Sequence, residues 1–143
     1  METLNNDNYF SPEMDRYYVG HSQFLDFIGT PGKRGCEARA LAKLNGLYNE
    51  DDNIALLMGS YVDSYFEGTL GDFIRKNADS ILSTRGASKG QLKADFRQCD
   101  AMIKRAEQDF TFMQFMSGEK QRIFVGDING VPVKIKVDSY QIS

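Results

Sequence analysis

The sequence predicts an α+β protein, in which a helix-rich N-terminal part leads into one antiparallel β-hairpin. Three observations carry this. Ile54, Leu57, Met58, Tyr61, Val62 and Tyr65 recur at helical spacing. Leu92, Phe96, Cys99, Ile103, Ala106, Phe110 and Met113 follow steps of four and three, the stripe of a long core-facing helix. The period then changes to two: Val131, Val133, Ile135 and Val137 alternate with Pro132, Lys134, Lys136 and Asp138.

Taken in order, residues 1–20 are polar and tyrosine-rich (Tyr9, Phe10, Tyr17, Tyr18) and read as an arm that packs through its rings. Ser22 is placed to cap a short helix through Phe24, Phe27 and Ile28. Thr30 to Gly35 reads as a loop, and Cys36 to Asn45 as a helix stopped by Gly46. The Ile54 helix follows Asp51-Asp52-Asn53 and ends at Gly68. A shorter helix covers Asp72 to Ile81, and Ser83 to Gly90 is turn-like. The long helix then runs from near Gly90 to Gly118, with Gly118 to Gln121 as the turn into a strand over Gln121 to Ile128. Asn129-Gly130 is the two-residue hairpin signal that joins it to the alternating strand.

Composition bounds the function. With 143 residues, 41% hydrophobic and 26% charged, the chain suits one domain spanning residues 1–143 with a packed core. No apolar run nears the ~20 residues that span a bilayer. Glu2, Asn5, Asn6 and Asp7 do not resemble a signal peptide, so a cytoplasmic protein is expected. The net charge of −3 requires any nucleic-acid binder to gather its lysines and arginines locally, and equally suits a basic protein partner. Cys36 and Cys99 are expected to be reduced and buried. One histidine, His21, leaves any metal to oxygen ligands, which points to Mg²⁺ or Mn²⁺.

Alternation places Lys134, Lys136, Asp138 and Tyr140 on one strand face. That face reads either as a solvated polar surface or as a carboxylate with cations suited to a metal and a phosphate. Asp63 and Glu67 stand one turn apart on the Ile54 helix, Asp63 nearly opposite the apolar stripe, facing water or a cleft. Arg85, Lys89, Lys93, Arg97, Lys104 and Arg105 could track a phosphate backbone. Interspersed Asp95, Asp100, Glu107 and Asp109 fit the outer face of a helix instead.

Several segments together resemble phage and prophage exonuclease-like proteins of the PD-(D/E)XK superfamily. They are Asn8-Tyr9-Phe10, Ser22-Gln23-Phe24, Cys36-Glu37-Ala38, the run from Leu56 to Gly68, Gln91 to Phe96, Gly118 to Gln121, and Val133 to Tyr140. The resemblance implies a two-metal nuclease core. Asp63, or alternatively Glu67, would be the helix acid, and Asp138 the metal-binding aspartate on the second core strand. An acid–x–lysine pair is expected on a following strand, and the sequence reaches Ser143 without it. On this reading residues 1–143 form a truncated nuclease-like domain, an incomplete PD-(D/E)XK core.

Lys136, two residues before Asp138, is the candidate catalytic substitute for the lysine of that pair. Lys134, Lys136, Lys93 and Arg97 are the candidate nucleic-acid contacts. The functions that follow are a nuclease-like DNA- or protein-binding module without nuclease activity of its own, a phage inhibitor of a host nuclease or CRISPR effector, or a fragment of a complete metal-dependent DNA exonuclease. An unpaired sheet edge after Tyr140 would be covered by the N-terminal arm, a second copy or a partner.

Overall fold

The computed structural model describes residues 3–48 and 53–142; Asp51 and Asp52, expected ahead of the Ile54 helix, lie outside them. The fold is α+β, with two antiparallel hairpins among its helices. The chain divides into two compact units, Met1–Glu50 with Gln121–Val137, and Asp51–Lys120 with Asp138–Ser143.

In the first unit the arm holds a helix that the tyrosine count obscures. Ser11 Oγ accepts from the Met14 N–H at 3.3 Å and Pro12 opens α1 (Pro12–Tyr17), the Ser-Pro pair that favours a helix start. Tyr9 and Met14 are buried, whereas Phe10 and Tyr17 stay exposed. α2 (His21–Ile28) is entered at Gly20, whose N–H donates to Gln23 Oε1 at 2.6 Å. The capping role expected of Ser22 thus falls to Gln23, and Ser22 lies inside the helix.

The expected loop is a small ribbon. β1 (Gly29–Thr30) pairs with β2 (Lys33–Arg34) through the Pro31-Gly32 turn. α3 (Glu37–Leu44) ends at Asn45-Gly46, and Leu47 N–H returns to Ala42 O at 2.8 Å. Lys43 Nζ, 3.1 Å from Asp26 Oδ2, ties α3 to α2. Cys36 is exposed, not buried, because it caps α3 from outside the helix.

In the second unit, α4 (Ile54–Glu67) packs against α7 (Ala94–Glu107) around Tyr61, Ile81, Phe96, Cys99 and Ile103. The inward face of α4 centres on Tyr61 and Ser64, so Ile54 and Tyr65, counted in the apolar stripe, are turned outward. Tyr61 is fully buried and its hydroxyl donates to Asp100 Oδ1 at 2.8 Å, which satisfies the one polar atom it brings into the core.

The helix expected over Asp72 to Ile81 is divided into α5 (Leu70–Lys76) and α6 (Ala78–Ile81). The break falls at Asn77, whose side chain donates to Phe73 O at 2.9 Å. The long helix expected from Gly90 to Gly118 is divided too. Asp109 Oδ1 accepts from the Phe112 N–H at 3.0 Å and starts α8 (Phe110–Phe115), so the polar side chain outcompetes the continuing helix.

β3 (Glu119–Ile128) and β4 (Val131–Tyr140) form the second hairpin. Asn129 and Gly130 have φ of 53° and 84°, the pair of left-handed residues that a type I′ turn requires. Val19 bridges to β4, donating to Pro132 O at 2.9 Å and accepting from Lys134 N–H at 3.1 Å, so the N-terminal arm covers β4 there.

The hairpin is packed with the polarity opposite to the one its composition suggests. Lys134 is buried, with Nζ donating to Asp15 Oδ1 at 2.6 Å and to the Tyr9 carbonyl. Val131 and Ile135 are exposed. Truncating one partner of a buried ion pair strands the other, at a cost of about 3 kcal/mol. Lys134→Ala should lower the unfolding free energy by about that much in urea titrations, while Lys33→Ala on the exposed ribbon should change it by less than about 0.5 kcal/mol.

Candidate functional site

Two of the sequence-predicted acids are brought together, and both belong to the second unit. Asp63 projects from the third turn of α4, one residue from buried Ser64. The rotation of the helix that sends Tyr61 and Ser64 inward leaves Asp63 with access to solvent. Its carboxyl pKa is nevertheless raised, first because neighbouring atoms shield it from water and second because Asp138 adds a like charge.

Asp138 sits near the end of β4 and is exposed. Its neighbours fix where the strand end lies. Ser139 Oγ donates to Phe115 O at 2.6 Å and accepts from the Gly118 N–H at 3.0 Å. Gln141 Nε2 donates to Gln114 O and to Ser117 Oγ, each at 2.8 Å. Gly118 allows this approach, since a Cβ there would stand 2.4 Å from Tyr140 O. The last turn of α8 is thereby fastened to the strand that carries Asp138.

Nothing in the sequence pattern signals this fastening. In the sequence Gly118 reads as a helix stop and as the start of a turn into the strand, and a glycine cannot reveal what comes close to it.

The remaining candidates lie elsewhere. Glu67 is half-buried as the last residue of α4. Lys134 belongs to the buried pair of the first unit, so its charge is directed inward and not at a solvent-facing phosphate path. Lys136 is in the same unit, its ammonium 4.6 Å from the Phe10 ring centroid and 5.0 Å from that of Tyr9. Lys93 caps the start of α7 and donates to Asp79 O at 2.8 Å; Arg97 donates to Leu92 O at 2.8 Å. Both basic residues therefore hold backbone carbonyls ahead of α7.

Carboxylate oxygens are hard donors that suit Mg²⁺ or Mn²⁺, and two that repel one another gain most from a shared divalent cation. Asp63 and Asp138 fit such an ion. Among the described residues, no cluster of three or more His, Cys, Asp and Glu side chains that could hold a metal is present.

Residues 20–143 match the family described as a PDDEXK-like domain of unknown function (DUF3799). The chain belongs to this PDDEXK-like family. A PDDEXK-like chain of similar fold is the putative exonuclease from Eubacterium rectale, known from a crystal structure, which is 44% identical and superposes with a TM-score of 0.88. The match covers 98% of this PDDEXK-like chain and 51% of the other, so it spans about half the length of that relative. No curated protein matches it. Among the described residues no helix is long and apolar enough to cross a membrane.

A raised carboxyl pKa disfavours the ionised form in the folded protein. The contribution of Asp63 to stability is therefore complete below its unfolded value, about 3.9, and is lost as pH rises through its folded value. Asp63→Asn should stabilise the protein at neutral pH and make no difference near pH 3, as read from thermal melts at both pH values. In Asp138→Asn, an NMR titration should show the Asp63 pKa moving down toward the ordinary carboxylate range without reaching it, because the shielding remains.

Proposed function

We propose that this PDDEXK-like chain carries part of the metal centre of a DNA exonuclease, with Asp63 and Asp138 holding a divalent cation, and that alone it does not cleave DNA. One observation carries the reading. An acid from the middle of a core helix and an acid from a strand end come close enough for one to raise the pKa of the other. Structural packing does not require such a like-charge pair, and metal binding relieves it. The name of the Eubacterium rectale relative supports exonuclease as the reaction class.

When bound, Mg²⁺ or Mn²⁺ supplies Lewis-acid charge at a phosphodiester. The chain's own residues do the rest. Asp63 must release its proton to become a ligand, so binding strengthens as pH rises through its raised pKa. Asp138 is held for the cation by the Ser139 and Gln141 hydrogen bonds to the end of α8. Glu67, one turn beyond Asp63, is the alternative helix ligand.

Lys136 is the candidate cation near the phosphate, and its ammonium is cradled by Tyr9 and Phe10. Lys93 and Arg97 are the candidate phosphate contacts along the DNA. The inactivity follows in this reading from the chemistry that these residues supply only in part: two acids suffice for a hydrated divalent cation, but β3 and β4 carry no acid–x–lysine pair beside them.

Mn²⁺ titration by calorimetry tests the site, beside a cleavage assay on linear double- and single-stranded DNA. One binding event is expected, weakened at least tenfold by Asp63→Asn and by Asp138→Asn, and weaker at pH 5 than at pH 8. No cleavage is expected. Unchanged binding in both variants would remove the metal site; cleavage that vanishes in Asp138→Ala would show instead that the chain is a complete nuclease.

A further inference from the structure

Phe10 is 71% exposed. Exposure alone says little, since apolar side chains make up much of any protein surface. What sets Phe10 apart is that its ring is fixed and carries a cation. Tyr9 beside it is buried, and the two rings meet edge to face, with centroids 4.9 Å apart and planes at 83°. The Tyr9 carbonyl accepts from the Lys134 ammonium, which Asp15 holds at 2.6 Å, and Ser11 on the other side caps α1. The backbone is thus anchored both before and after Phe10.

The Lys136 ammonium stands 4.6 Å from the Phe10 centroid and 5.0 Å from that of Tyr9, and all three residues belong to the first unit. Among the described residues no carboxylate pairs with Lys136, and Asp15, the acid that the arm brings to β4, is taken by Lys134. A ring attracts an ammonium through its quadrupole alone, whereas an anionic oxygen adds a full charge and a hydrogen bond, so a phosphate improves on the partners that Lys136 has. With most of its surface open, the Phe10 ring also leaves room for a planar group to lie against it.

We infer that Phe10 and Lys136 form a site for one unpaired nucleotide of single-stranded DNA, with the base stacked on the ring and a phosphate on the ammonium. Every base has a π face, so an exposed ring beside a cation takes unpaired nucleotides without regard to sequence. Bases inside a duplex are stacked on their own neighbours and have no face to offer. The inference rests on the reading that this chain meets DNA, and it makes no use of Asp63 or Asp138.

The test mixes the 143-residue chain with a short oligothymidylate carrying one 2-aminopurine, in EDTA, and follows the fluorescence that stacking quenches. Binding with quenching is expected. Phe10→Leu should weaken it at least about fivefold and remove the quench, while Phe10→Trp keeps both. Leucine retains apolar bulk without a π face, so a ring that served packing alone would tolerate it. Lys136→Met should lower the slope of log affinity against log salt by about 0.7, the share of one phosphate contact on a single strand. Phe10 is exposed, so circular dichroism of its variants should match the parent. Binding that Phe10→Leu leaves unchanged overturns the inference, as does no binding by the folded chain or equal affinity for a blunt duplex with the same label. Tighter binding of an oligouridylate of equal length would make RNA the ligand and overturn it too. Since the assay holds no metal, a failed Mn²⁺ titration and a failed stacking assay are separate results.

Discussion

The buried ammonium of Lys134 decides which way the long hairpin faces. Desolvating a lysine is expensive, and the position is tolerated because Asp15 offers an opposite charge at 2.6 Å and the Tyr9 carbonyl a further acceptor. With that charge inside, the alternation of a strand leaves no freedom. Lys134 inward means Ile135 outward, since neighbouring side chains point to opposite faces. The same pair draws the segment from Tyr9 to Asp15 onto the strand, and Val19 then continues the attachment through the backbone. Polar contacts at a few atoms thus set the packing of a whole segment, while Val131 and Ile135 on the aliphatic side stay exposed.

In the second unit a different constraint orients Asp63. Tyr61 must bury a large ring and still satisfy a hydroxyl, and Asp100 on α7 meets that need. This bond and the ring contacts with Phe73 and Phe96 fix the rotation of α4 about its axis. The direction of Asp63 follows from that rotation. Asp138 arrives from far along the chain, and its strand end is secured to α8 by side-chain bonds to backbone carbonyls. Two acids are thereby held near each other by parts that are otherwise ordinary core and capping interactions.

Such an arrangement costs stability at neutral pH. Shielding of Asp63 from water, and secondly the like charge of Asp138, oppose folding at neutral pH, whereas a cation between the two acids would offset that cost. Functional sites commonly hold this kind of local conflict, and the hydrophobic core around Phe96 and Ile103 supplies the stability that tolerates it.

The sequence by itself determined the α+β class, the stops at Gly46 and Gly68, the Asn129-Gly130 turn and the family resemblance. Each depends on neighbours along the chain: the period of apolar residues, a left-handed glycine after a helix, a turn that only certain residues can make. It also singled out Asp63 and Asp138 through that resemblance.

Tertiary structure alone decided that these two acids lie close enough to interact electrostatically, that Asp109 and Asn77 break helices the apolar pattern would have continued, and that a lysine goes inside while isoleucine stays out. The reason is physical. Periodicity reports that a strand has two different faces, but which one is buried depends on the partners that come to it. Asp15 lies 119 residues from Lys134, and no local pattern carries that information.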